Sequence, residues 1–159
     1  MIHSQRSFHS PFFLMAAIPG DGGDETHGSS GPAPDAAPPL RVLIVEDEGL
    51  VAMNIESALT EAGFKVMGIV DTEADAVAAA ERLQPDVVVM DVTLREGNGI
   101  SAGKAIVEKI KARIVFVSGN SDPRTLAEAE KVSPGAFIRK PFATDRLARL
   151  IEDALATKN

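Results

Sequence analysis

The chain has 159 residues, 45% of them hydrophobic, enough for one ordinary domain with a sizeable core and too few for two independent ones. There is no cysteine, which excludes a disulfide scaffold, a thiolate metal site and a cysteine nucleophile. The net charge is -7, the basic residues are scattered among acids, and tyrosine and tryptophan are absent, so a nucleic-acid surface is disfavoured.

From Met1 to Pro39 the chain is rich in Ser, Gly and Pro, a composition that buries too little apolar surface to offset ordering, and residues 1–39 are expected to form a disordered extension. Phe12–Ile18 follows Arg6 in the manner of a short signal-peptide core, but it is far too short to span a bilayer and its charged flank is a single arginine. An unstructured leader, or a start at Met15, is the simpler reading. All three histidines lie in this tail, outside any catalytic or metal-binding pattern.

Leu40–Val45 is a continuous apolar run that breaks into Glu46-Asp47-Glu48, which predicts a strand and an acidic turn. Val51, Ile55, Ala58, Leu59 and Ala62 then recur at helical spacing until Gly63 closes the helix. Phe64–Val70 is a second strand, and Thr72 with Asp75 resembles a capping box before a helix with Ala74, Val77, Ala78 and Leu83 inward. After Pro85, Val87–Thr93 is too short and too β-branched for a helix; it reads as a buried parallel strand delivering Asp91 toward its carboxyl end. Gly97-Asn98-Gly99 is a turn, and Ile100, Gly103, Ile106, Val107 and Ile110 form the next helical face. Ile114–Ser118 is the fourth strand. Asp122-Pro123 opens a helix whose apolar face of Leu126, Ala129 and Val132 is thin, so it should be the most loosely docked of the five. Gly135–Lys140 is the fifth strand, and Thr144 starts a last helix with Leu147, Leu150, Ile151, Ala154 and Leu155 inward. Such alternation predicts a doubly wound α/β domain over residues 40–157, its parallel sheet joined by right-handed crossovers.

In a parallel sheet Glu46, Asp47, Asp91, Ser118 and Lys140 all fall at carboxyl ends, the edge where ligands of open α/β sheets bind. Three carboxylates at one point repel strongly unless a cation joins them or their pKa values rise. An all-oxygen set suits Mg2+, which bridges to phosphate oxygens, and a lysine with a hydroxyl opposite completes a phosphoryl clamp. The chemistry expected is phosphoryl transfer with Asp91 as covalent acceptor.

The pattern Leu43-Ile44-Val45-Glu46-Asp47-Glu48, Val89-Met90-Asp91, Val117-Ser118-Gly119 and Lys140-Pro141-Phe142 resembles the receiver domain of two-component response regulators, from about Leu40 to Leu155. The resemblance implies a flavodoxin-like (βα)5 sandwich of strand order 2-1-3-4-5. It implies that Asp91 takes a phosphoryl group from a sensor histidine kinase or phosphotransfer protein, as a self-phosphorylating and self-dephosphorylating acceptor rather than a turnover enzyme. Glu46, Asp47, Asp91 and the backbone carbonyl of Thr93 would hold Mg2+, Ser118 and Lys140 would bind phosphoryl oxygens, Phe137 would swing as Ser118 moves, and Lys140-Pro141 would be cis. Because Asn159 closely follows the last helix, the expectation is a single-domain regulator, and the resemblance implies that it is cytoplasmic. It would act on a protein target, or as a phosphate sink, through the face of the fourth helix, fifth strand and fifth helix, with no nucleic acid or membrane involved.

Some residues depart from the family's commonest pattern. Glu46 stands where aspartate is usual, Ser118 where threonine is commoner, and Leu94-Arg95 in place of Met-Pro, so that the loop with Gly97 and Gly99 should be more mobile. Thr93 and Asn120 occupy positions that resemble those tuning phosphoryl lifetime. Glu48 is expected only to favour the positive end of the first helix. The alternatives are a phosphorylation-independent interaction module and a Mg2+-dependent phosphatase with an aspartyl nucleophile, whose motif needs a second aspartate where Val92 stands.

Overall fold

A computed structural model describes residues 37–120 and 122–156. The expected disordered extension therefore lies outside the described residues except for Ala37, Pro38 and Pro39, which are exposed and belong to no helix or strand. Strands β1 (Arg41–Val45), β2 (Lys65–Val70), β3 (Val87–Asp91), β4 (Arg113–Ser118) and β5 (Phe137–Arg139) alternate with helices α1 (Gly49–Glu61), α2 (Glu73–Leu83), α3 (Gly99–Lys109), α4 (Pro123–Val132) and α5 (Thr144–Ala156). The strands pair in parallel as β2-β1-β3-β4-β5, the doubly wound flavodoxin-like order.

The unbroken apolar strands follow from burial on both faces. Val42, Ile44, Val87, Val89, Val115 and Val117 point to one side and pack with Ile55, Leu59, Leu147 and Ile151 of α1 and α5. Their neighbours Leu43, Val45, Val88, Met90, Ile114 and Phe116 point to the other, against alanines of α2, α3 and α4 and Ile106. All of β3 is buried, and fully burying a side chain such as Phe116 contributes about 2–3 kcal/mol. The central strand is thus the best-supported place from which to present a reactive group.

Helix boundaries follow local chemistry. Gly63 closes α1 with φ +90°, its N–H donating to the Thr60 carbonyl. Thr72 accepts from the Asp75 N–H at 3.1 Å, the Thr half of the expected box. Asn98 accepts from Ile100 and Ser101, and Asp122 from Arg124 and Thr125, which start α3 and α4. The inward faces need correction in four places. Ala62 is exposed because it caps α1 beyond the helical face, and Val107 of α3 is 38% exposed. Helix α2 leaves Ala74 and Ala78 exposed and instead buries Ala76, Ala79 and Ala80, because in an alanine-rich helix small residues occupy every face and do not mark the buried one. In α4 only Ala129 is buried, as its thin apolar face predicts. Among the described residues no helix is long and apolar enough to cross a membrane.

Candidate functional site

Parallel register decides where the polar residues meet. Val45 pairs with Met90, Asp91 with Val117, and Ser118 with Arg139, so the strands end nearly level and Glu46, Asp91, Ser118 and Lys140 emerge along one edge. Main-chain bonds extend that edge: Glu46 N–H donates to the Val70 carbonyl, Val92 N–H to Val117, and Lys140 N–H to Ser118, each within 3.0 Å. The Lys140-Pro141 peptide is cis, as expected.

Glu46, Asp47 and Asp91 each offer a carboxylate oxygen, and these oxygens lie within 4.8 Å of one another. Glu46 and Asp91 are only 3% and 6% exposed, while Asp47 is half-buried and borders a cavity of about 410 Å3 with Asp91, Thr93, Asn120 and Lys140. The Lys140 ammonium donates to Glu46 Oε2 and to Asp91 Oδ2, both at 2.8 Å. Burial pushes the Glu46 carboxyl above its ordinary value, with the charge of Asp91 adding to the rise against the opposing hydrogen bond from Lys140. Burial opposes the Lys140 ammonium, but its bonds to Asp91 and Glu46 prevail and lift its pKa.

Main-chain amides fix each carboxylate. Glu46 Oε1 accepts from Glu48 N–H at 3.0 Å, Asp91 Oδ1 from Thr93 N–H at 2.8 Å, and Asp47 Oδ2 from Arg95 N–H at 2.9 Å. Glu48 thus has a use beyond the helix start: its side chain makes no cap bond, and its amide aims Glu46. Ser118 is fully buried, and its Oγ accepts from Asn120 N–H at 3.0 Å. Phe137 is half-buried against the cluster that contains Ala129 of α4. Three carboxylates just beyond β1 and at the end of β3, held by main-chain amides and open to a cavity, are a donor set that fits a hard divalent cation.

The loop after Asp91 is tied to α2 and to its own start by several bonds. Leu94 is 7% exposed, Asn98 N–H donates to Glu73 Oε2 at 2.7 Å, Glu73 N–H donates to the Glu96 carbonyl, and Gly99 N–H donates to that of Val92. The roles of two residues in this arrangement were not legible in the sequence, although Gly99 was read as part of a turn. Glu73 is remote in the chain from the loop it holds, and Gly99 is needed because a Cβ there would stand 1.9 Å from the Asp91 carbonyl oxygen.

Comparison with known proteins agrees with this geometry. Residues 42–152 match the family model of the response regulator receiver domain. The transcriptional regulatory protein PdtaR of Mycobacterium tuberculosis is 37% identical over 122 residues, 77% of this chain and 60% of that protein, so the chain spans well under the full length of this relative. The chemotaxis protein CheY of Thermotoga maritima is 36% identical over 112 residues, 70% of this chain and 93% of that protein. Among solved structures, the signal receiver domain of a modulated diguanylate cyclase from Desulfovibrio desulfuricans superposes with a TM-score of 0.68 at 32% identity, covering 74% of this chain and 94% of that one.

Proposed function

The chain belongs to the response regulator receiver family of two-component signalling, and from that premise we propose that Asp91 is its phosphoacceptor, charged by a histidine kinase or a histidine phosphotransfer protein. In the transfer, an Asp91 carboxylate oxygen forms a bond to phosphorus as the P–N bond of the phosphohistidine breaks, and the imidazole leaves with the bonding electrons and is protonated. The product is an acyl phosphate on Asp91. The observation that carries the reading is the convergence of Glu46, Asp47, Asp91 and Lys140 at one sheet edge, with Lys140 bonded to Asp91.

Glu46, Asp47 and Asp91, with the backbone carbonyl of Thr93, would hold Mg2+; when bound, the ion supplies positive charge against the phosphoryl oxygens. The rest falls to the chain. Lys140 holds Asp91 through Oδ2 and, when the phosphoryl group arrives, donates to its oxygens along with the Ser118 hydroxyl. Moving Ser118 toward the phosphoryl group breaks its bond from Asn120 N–H, at the start of the loop into α4. Because α4 buries only Ala129, this helix is the element most readily shifted, with Phe137 moving beside it.

The signal would then be read by a protein partner at the face of α4, β5 and α5, in the cytoplasm where the phosphodonors act. Val92, 6% exposed, stands where an aspartyl-nucleophile phosphatase needs its second carboxylate, so the receiver reading is preferred. Beryllofluoride with Mg2+ tests the switch. Amide resonances of Phe137 and α4 should move in the wild type and stay still in Asp91→Asn; no movement in the wild type would contradict the proposal.

A further inference from the structure

We propose that Glu73, the first residue of α2, is a positioning residue for the divalent-cation site, acting through the loop between β3 and α3. The inference rests on the reading of Glu46, Asp47 and Asp91 as that site. Glu73 grips the loop twice, its Oε2 accepting the Asn98 N–H at 2.7 Å and its own N–H donating to the Glu96 carbonyl at 3.1 Å. Between these two points stands Gly97, at φ +92°, where a Cβ would come within 2.3 Å of the Glu73 Cβ and 2.6 Å of its Oε2. The Glu73 side chain therefore fills the space that any side chain at position 97 would need.

What the grip controls lies at the other end of the same loop. Arg95 N–H donates to Asp47 Oδ2 at 2.9 Å and Thr93 N–H to Asp91 Oδ1 at 2.8 Å, so the loop orients two of the three carboxylates with its own amides. Arg95 and Asn98 lie on the same short loop, and of the two grips only the one on Asn98 is made by the Glu73 side chain, the one on Glu96 being its main-chain amide. Groups that orient metal ligands commonly alter affinity by 10- to 100-fold when removed, without touching the ion. An acid in the first turn of a helix also has an ordinary reason to be there, since it favours the positive end of the helix dipole. The two roles separate by chemistry: positioning needs the length and acceptor of Glu73, whereas the dipole needs only its charge.

Mg2+ titrations of the full chain, followed by the rise in thermal unfolding midpoint and by amide shifts, decide between them. Glu73→Gln keeps length and acceptor, Glu73→Asp keeps charge but loses reach, and Glu73→Ala loses both. The expected result is a wild-type Mg2+ midpoint in Glu73→Gln and a requirement for about tenfold more Mg2+ in Glu73→Asp and Glu73→Ala. Gly97→Ala, which displaces Glu73 from the loop side, should shift the midpoint in the same direction. A Glu73→Asp protein with a wild-type midpoint overturns the inference while leaving the cation site intact. A wild type that shows no Mg2+ response removes the cation site, and the inference with it.

Discussion

A Cβ built on Gly99 stands 1.9 Å from the main-chain carbonyl oxygen of Asp91, so the first turn of α3 rests directly on the backbone of the proposed phosphoacceptor. Gly99 is buried and its N–H donates to Val92 at 3.0 Å, which leaves neither partner room to retreat. Gly99→Ala should destabilise the fold by at least about 2 kcal/mol, the overpacking range. Urea unfolding measures it, and an unchanged midpoint would show that the contact is soft.

Lys140 neutralises two neighbouring carboxylates that are otherwise buried together. Lys140→Ala should lower stability without Mg2+ by about 2 kcal/mol, less than for a fully buried pair because the ammonium keeps some solvent. The same variant should bind Mg2+ more tightly, since the ion no longer competes with an ammonium. The deficit should also shrink on acidification: Glu46, already held above its ordinary carboxylate value by burial, takes up a proton more readily in the native state than in the unfolded chain. Chemical unfolding at two pH values, with and without Mg2+, checks all three statements.

Helix α4 should be acid-sensitive at its start. Asp122 accepts bonds from the Thr125 hydroxyl and from the amides of Thr125 and Arg124, and the Thr125 bonds hold its pKa below the ordinary 3.8. A lowered native pKa favours the ionised form in the folded state. The stabilisation is therefore present above the unfolded value and is lost as pH falls through the native one. Amide exchange in α4, corrected for intrinsic rates, should accelerate on acidification in the wild type and much less in Asp122→Asn; parallel profiles would contradict this.

The strands were legible because burial on both faces leaves an unbroken β-branched signature, clearest in Val87-Val88-Val89, whereas their order came only from the family resemblance. The polar cluster was legible for a related reason: each member follows such a run, so finding the strands located Glu46, Asp91, Ser118 and Lys140 together. Helix faces were less so. Ala74 and Ala76 look alike in sequence, yet only Ala76 meets the sheet, because rotation of α2 is set by packing rather than by its own pattern. The grip of Glu73 on Asn98 and of Arg95 on Asp47 was invisible, since both are contacts between distant segments through a main-chain amide, which every residue but proline carries.

The claim on which everything else depends is that Asp91 accepts a phosphoryl group. Incubating the full chain with acetyl phosphate and Mg2+, then measuring intact mass, tests it without any partner. A gain of one phosphoryl mass is expected in the wild type, lost on chelating the metal and absent in Asp91→Asn. A wild type that takes up none, or an Asp91→Asn protein that takes up as much, would contradict it.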